Sequence, residues 1–148
     1  MRAEPPNDTT VRVVIDASAL VALLAREPES EAVTSRITGW VREGVELHTP
    51  ELARYEIANA LTRKASNSEL DAAGLPAVWA ELEALPISYH PLGDGAAVIA
   101  LATELERRSA FDVAYVALAR DLDAELWTLD GPLARNAATR GHPVSLID

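Results

Sequence analysis

The chain has 148 residues, 49% of them hydrophobic, which suits one domain around one core and is too apolar for a disordered chain. It contains no cysteine, which removes disulfides, zinc–thiolate sites and cysteine nucleophiles. The net charge of -10 argues against a broad electrostatic nucleic-acid binder, because phosphate affinity rests on Lys and Arg, but leaves room for a nuclease whose negative charge is partly a metal site.

No apolar run approaches the ~18 residues of a membrane span. The polar opening stretch with Pro5-Pro6 lacks the apolar centre of a signal peptide. A soluble cytoplasmic protein is expected, with residues 1–10 as a flexible lead-in and residues 11–148 as a single domain. Val11 to Ile15 is a β-branched run interrupted only by Arg12, expected as a buried first strand. A short helix from Ala19 to Ala25 follows, then a helix that restarts at Pro28 with Glu29 and Glu31 at its positive end and runs to about Arg42, where Gly44 stops it.

Val45 to Thr49 is expected as a second strand, and Glu51 to about Ala65 as a helix. Ser68 is expected to cap a further helix to about Ala84, with a break near Gly74-Leu75-Pro76. Ile87 to His90 forms a third strand, Asp94 opens a helix to about Arg108, and Asp112 opens the next to about Leu122. Glu125 to Thr128, Pro132 to Thr139 and Val144 to Ile147 close the chain as strand, helix and strand. Strands separated by helices throughout predict parallel pairing with right-handed crossovers. The expected fold class is α/β, a three-layer α/β/α sandwich around a central, mostly parallel five-stranded sheet. Ligands of such sheets bind beyond the carboxyl ends of the strands.

Four acids fall at or near that rim: Asp16, Glu56, Asp112 and Asp130. Each has an ordinary structural role. Asp16, Asp112 and Asp130 all precede helices and would serve as N-caps, although Ser18 could cap in place of Asp16. Glu56 lies mid-helix, where a solvated surface position is usual. At 100° per residue, however, it shares a stripe with Leu52, Asn59, Ala60 and Arg63, opposite Ala58, Leu61 and Ala65. Together, four clustered carboxylates repel unless a cation joins them, and Mg²⁺ and Mn²⁺ take such oxygen ligands. His48, His90 and His142 are scattered, lack the spacing of a zinc motif and read as surface or packing residues.

Four segments carry a resemblance. Val13-Val14-Ile15-Asp16-Ala17-Ser18-Ala19-Leu20, the run from Pro50 through Glu56 and Asn59 to Leu61, Phe111-Asp112-Val113-Ala114-Tyr115 and Leu126-Trp127-Thr128-Leu129-Asp130 occur in order at suitable spacing. In them the chain resembles the PIN-domain ribonucleases, and within those the VapC toxins of VapBC toxin–antitoxin pairs, from Val13 to about Asp148. The resemblance implies a metal-dependent endoribonuclease that hydrolyses RNA with a metal-activated water, using one or two Mg²⁺ or Mn²⁺ ions. Asp16 and Asp112 would be the central ligands. Glu56 would ligate directly or through water, and Asp130 would complete the pocket. Ser18, Thr128 and Asn59 would support these acids. A homodimer and a cognate VapB-type antitoxin are also implied, with no membrane partner.

Trp127 is bulkier than the aliphatic residue usual before the Thr, and Gly131-Pro132 adjoins the last acid; neither removes a carboxylate. Arg54, Arg63, Lys64 and Arg135, with Arg140, are the nearby cations that could position an RNA backbone, although surface solvation is the ordinary role of each. Two other classes compete. A catalytically silent binding module on the same fold would have to tolerate four crowded acids with no role to offset them. An aspartyl-phosphate phosphotransfer domain would want a second Asp two residues after Asp16 and a lysine after a late strand, whereas the sole lysine is Lys64.

Overall fold

Val13, Val14 and Ile15 are all buried, so both faces of β1 (Arg12–Ile15) are covered, as befits a central parallel strand. β2 (Glu46–Pro50) pairs with one edge of β1, and β3 (Ile87–His90) pairs with β2. On the other side β4 (Glu125–Thr128) pairs with β1 and β5 (Val144–Leu146) with β4. All four pairings are parallel, in the order β3-β2-β1-β4-β5. The computed structural model describes residues 9–148; the expected flexible lead-in over residues 1–10 therefore lies, save for Thr9 and Thr10, outside the described residues.

Seven α-helices connect the strands among the described residues: α1 (Ala17–Leu24), α2 (Ser30–Arg42), α3 (Leu52–Ser66), α4 (Leu75–Ala84), α5 (Gly95–Glu104), α6 (Ala110–Asp121) and α7 (Gly131–Thr139). Helix α6 lies across β1, β2 and β4 with α5 packed against it, while α1 lies against β4 and gathers α2, α3 and α4 around it. The sheet between these layers makes the expected three-layer sandwich. Leu20, Ile57, Leu82, Val113 and Leu126 join the β1 residues in one buried cluster. Each such side chain stabilises the fold by about 1.5–3 kcal/mol, the reservoir against which charges at the rim are held.

Some local expectations are corrected. Ser68 caps no helix: it adopts φ +60° and helps close the end of α3, with its N–H donating to the Ala65 carbonyl. Asp71 instead caps a 3₁₀ turn at Ala72–Gly74, and α4 begins where the break was expected, with Pro76 in its first turn. Ser109, not Asp112, caps α6, its Oγ accepting from the Phe111 N–H at 3.2 Å. Asp112 thus sits inside the first turn with its carboxylate released from capping.

Candidate active site

The sheet order reverses direction between β1 and β4, and crevices open at such switch points beyond the carboxyl ends of the strands. Asp16 stands there as the residue after β1, and its N–H donates to the Trp127 carbonyl of β4 at 3.0 Å. Ser18 does not take over the capping of α1, as the sequence allowed. Asp16 is the N-cap, accepting from the Ser18 N–H at 3.4 Å through Oδ1, and Ser18 Oγ donates to its Oδ2 at 3.2 Å. Thr128, fully buried at the end of β4, donates to the same Oδ2 at 2.6 Å. Two hydroxyls and a backbone amide therefore fix this carboxyl. Burial pushes its pKa up, the Thr128 and Ser18 hydrogen bonds oppose that rise, and the Asp130 charge adds to it.

Thr128 also ties in the next acid, since its Oγ1 accepts from the Asp130 N–H at 2.9 Å. Asp130 caps α7 through Oδ1, which accepts from the Leu133 N–H at 3.0 Å. Its other oxygen lies 3.8 Å from an Arg107 guanidinium nitrogen. Opposite, Glu56 on α3 is half-buried and accepts from the Tyr115 hydroxyl of α6 at 2.6 Å. Burial raises the Glu56 pKa most, the Tyr115 bond lowers it, and the charges of Asp16 and Asp112 raise it further. Burial and the Glu56 bond push the Tyr115 phenol far above its ordinary value, so it stays a neutral donor. The four acids, distant in sequence, thus share one electrostatic neighbourhood.

The chain has known relatives. Residues 13–138 match the PIN domain family. The chain belongs to the PIN-domain family. Ribonuclease VapC3 of Pyrobaculum aerophilum is 36% identical over 129 residues, which span 84% of this chain and 93% of that protein. Ribonuclease VapC3 of Mycobacterium tuberculosis is 34% identical over 139 residues, 91% of this chain and 93% of that one. These relatives make the chain a VapC-type PIN protein. The crystal structure of PAE2754 from Pyrobaculum aerophilum shares the fold at a TM-score of 0.67 with 23% identity, covering 94% of this chain and 91% of that one.

Against the PIN pattern, the donor chemistry fits a hard divalent cation: every group is a carboxylate oxygen, and burial plus mutual charge raise Asp16 and Glu56 as a cation would relieve. The cage is not closed, however. Among the described residues no three His, Cys, Asp or Glu side chains form a ready-made metal-holding group. The fit is one of donor type and charge.

The expected cations divide. Arg54 is bound to Glu83 at 2.7 Å, and Lys64 to Glu27 at 2.7 Å and Glu69 at 3.6 Å, so both are committed to intramolecular pairs. Arg140 pairs with Glu106 and reaches Asn136. Arg63, Arg135 and Asn59 are exposed. The expected apolar side of α3 is shifted: Ala53, Ile57 and Leu61 are buried, while Ala58 is exposed. Trp127 is accommodated by Trp40, edge-on at 5.3 Å between centroids, and by Arg36, whose guanidinium lies 4.5 Å from its ring.

Two residues had gone unassigned at this site. Tyr115 had a legible signal, lying three residues after Asp112 and so on the same side of α6. Arg107, in the α5–α6 connection, had none. The histidines are less scattered than expected, for His48 Nδ1 and His90 Nε2 meet at 2.8 Å.

Proposed function

We propose that this chain is a Mg²⁺- or Mn²⁺-dependent endoribonuclease, the toxin of a VapBC-type pair, acting in the cytoplasm and restrained by a cognate antitoxin. The observation that carries the reading is Asp16. It is a carboxylate at the switch point of a parallel sheet, held by three hydrogen bonds and crowded by other acids. A fold keeps such a destabilising cluster when a cation completes it. The VapC3 ribonucleases similar over most of the chain supply the reaction class.

Asp16 and Asp112 would be the central ligands, with Glu56 and Asp130 beside them, for one or two ions. When bound, the metal lowers the pKa of water and neutralises charge that develops on a phosphate. The chain's own residues do the positioning. Thr128 and Ser18 hold the Asp16 Oδ2 side, so its carboxyl plane is set before any ligand arrives. Tyr115 donates to one Glu56 oxygen and so fixes the orientation of that carboxyl. Arg63, Arg135 and Asn59, all exposed, would meet the RNA backbone. Arg54 and Lys64 are withdrawn from that role by their acid partners.

A homodimer fits an apolar groove of about 440 Å³ between β3, α5 and α6, where Leu92, Ile99 and Phe111 are 72%, 65% and 60% exposed. Apolar patches of this kind mark interfaces. The net charge of -10 suits an antitoxin whose contacting tail is basic.

The test is RNA cleavage by wild type, Asp16→Asn and Asp112→Asn, with and without excess EDTA, beside calorimetric titration with Mg²⁺ and Mn²⁺. Cleavage is expected from the wild type alone and only with free metal. Cutting by a metal-saturated Asp112→Asn protein at the wild-type rate overturns the site. The second reading is a silent PIN-like binding module, which absence of metal binding at millimolar concentration would support.

A further inference from the structure

The chain has seven aromatic residues of the Phe, Trp and Tyr types, and three of them, Tyr55, Trp79 and Tyr89, gather around Arg54. Arg54 donates to Glu83 Oε1 at 2.7 Å, and the same oxygen accepts the Trp79 indole N–H at 3.0 Å. The Arg54 guanidinium lies 5.1 Å from the Tyr89 ring centroid. One carboxylate and one ring thus fix the guanidinium plane. Beside it opens a cleft of about 240 Å³ lined by Glu51, Arg54, Tyr55, Ala58 and Trp79. Tyr55 is 75% exposed.

The helical period places this cleft relative to the acids. At 100° per residue, Glu51, Arg54 and Ala58 occupy one flank of α3, Glu56 and Ala60 the other, and Tyr55 the crest between them. A strand lying across α3 from the acids would meet Tyr55 next.

We propose that this cleft is a nucleobase-stacking subsite, which takes one base of a single-stranded RNA whose backbone continues toward Glu56. The inference rests on the ribonuclease reading for the identity of the strand. Bases bind proteins through their flat faces, on aromatic rings and guanidinium planes, and the cleft offers both. Glu83 already neutralises Arg54, so neither a phosphate nor an acidic peptide finds a spare charge there. A duplex offers no free base face, which selects loops and single strands.

Trp79 lines the cleft, and a Trp79→Phe chain supplies the background signal of Trp40 and Trp127. The full chain is titrated in EDTA with a short single-stranded RNA, with inorganic polyphosphate, and with polyarginine as a basic-peptide probe, and indole fluorescence is followed. Fluorescence should change saturably with RNA and not with the other two. Tyr55→Ala should weaken RNA binding about 5- to 100-fold, and Tyr55→Phe, which keeps the ring, should restore it. With metal present, the Tyr55→Ala loss should fall on KM rather than kcat.

Equal RNA affinity of Tyr55→Ala and wild type overturns the subsite, as does a response to polyphosphate equal to that to RNA, or a response to polyarginine alone. The two readings fail separately. Tyr55-dependent RNA binding by a wild type that never cleaves would sink the nuclease and leave the subsite. Normal cleavage with KM unmoved by Tyr55→Ala would sink the subsite alone.

Discussion

The acid pocket has two halves built on different principles. Asp16 and Asp130 hang from adjacent central strands and are bound to Thr128, one through its hydroxyl hydrogen and the other through its hydroxyl oxygen. Glu56 and Asp112 ride on α3 and α6, and the bond that ties Glu56 across the pocket is the Tyr115 hydroxyl. The first half is set by sheet register, which cannot shift by one residue without turning every side chain over. The second is set by how two helices pack, which tolerates small movements. One half is thus fixed by strand pairing and the other by helix packing.

The largest effect should come from the rigid half. Asp16→Asn keeps the cap of α1, because Asn caps as well as Asp. It removes the charge that burial and Asp130 oppose. Cleavage should fall on the order of 10³-fold, while the metal-free thermal midpoint stays level or rises. A large drop in that midpoint would mean that Asp16 serves the fold rather than the site.

Thr128→Val comes next. Valine keeps the shape and deletes the hydroxyl that joins Asp16 to the Asp130 backbone. Metal affinity or activity should drop about 10- to 100-fold, with Thr128→Ser close to wild type. If valine and serine behave alike, register alone orients Asp16. Tyr115→Phe probes the other half and should cost less, about 1 kcal/mol of stability and about tenfold in metal affinity. A loss as large as that of Thr128→Val would show the helical half to be equally fixed.

The same division governs what could be read in the sequence. The β-branched run before Asp16 made β1 legible, the short stretches Ile87–His90 and Glu125–Thr128 between helices gave β3 and β4, and that alternation made the parallel order legible. Asp16 and Asp130 followed from these, since a strand end is a local feature. Capping was less legible, because several oxygens compete within three residues; Ser109 took the cap expected of Asp112, and Asp16 kept the one for which Ser18 also competes. Pairs across the fold were illegible. Glu56 and Tyr115 are 59 positions apart, and Lys64 meets Glu27 only through packing of α3 beside α1. No spacing rule joins them.

The smallest effect concerns what carries the adjustable half. Helix α3 starts from the β2–β3 edge, where the Glu51 N–H donates to the His90 carbonyl at 2.7 Å. There His48 meets His90, and the other nitrogen of His48 meets Glu46, which also binds Arg12. The His–His bond needs one neutral imidazole as acceptor. Burial and the neighbouring His48 hold the His90 pKa below its ordinary 6.5. The unfolded chain therefore takes up a proton near pH 6.5 that the fold refuses until lower pH. The His90 contribution to stability is complete above that point, drains as pH falls through it, and is gone below the depressed folded value. Urea midpoints from pH 7.5 to 5 should fall more steeply for wild type than for His90→Gln. Metal affinity of the wild type, measured after return to pH 7.5, should be unchanged. Parallel midpoint curves would mean that the histidines leave the anchorage of α3 untouched, and that its position rests on the Tyr115 bond and apolar packing.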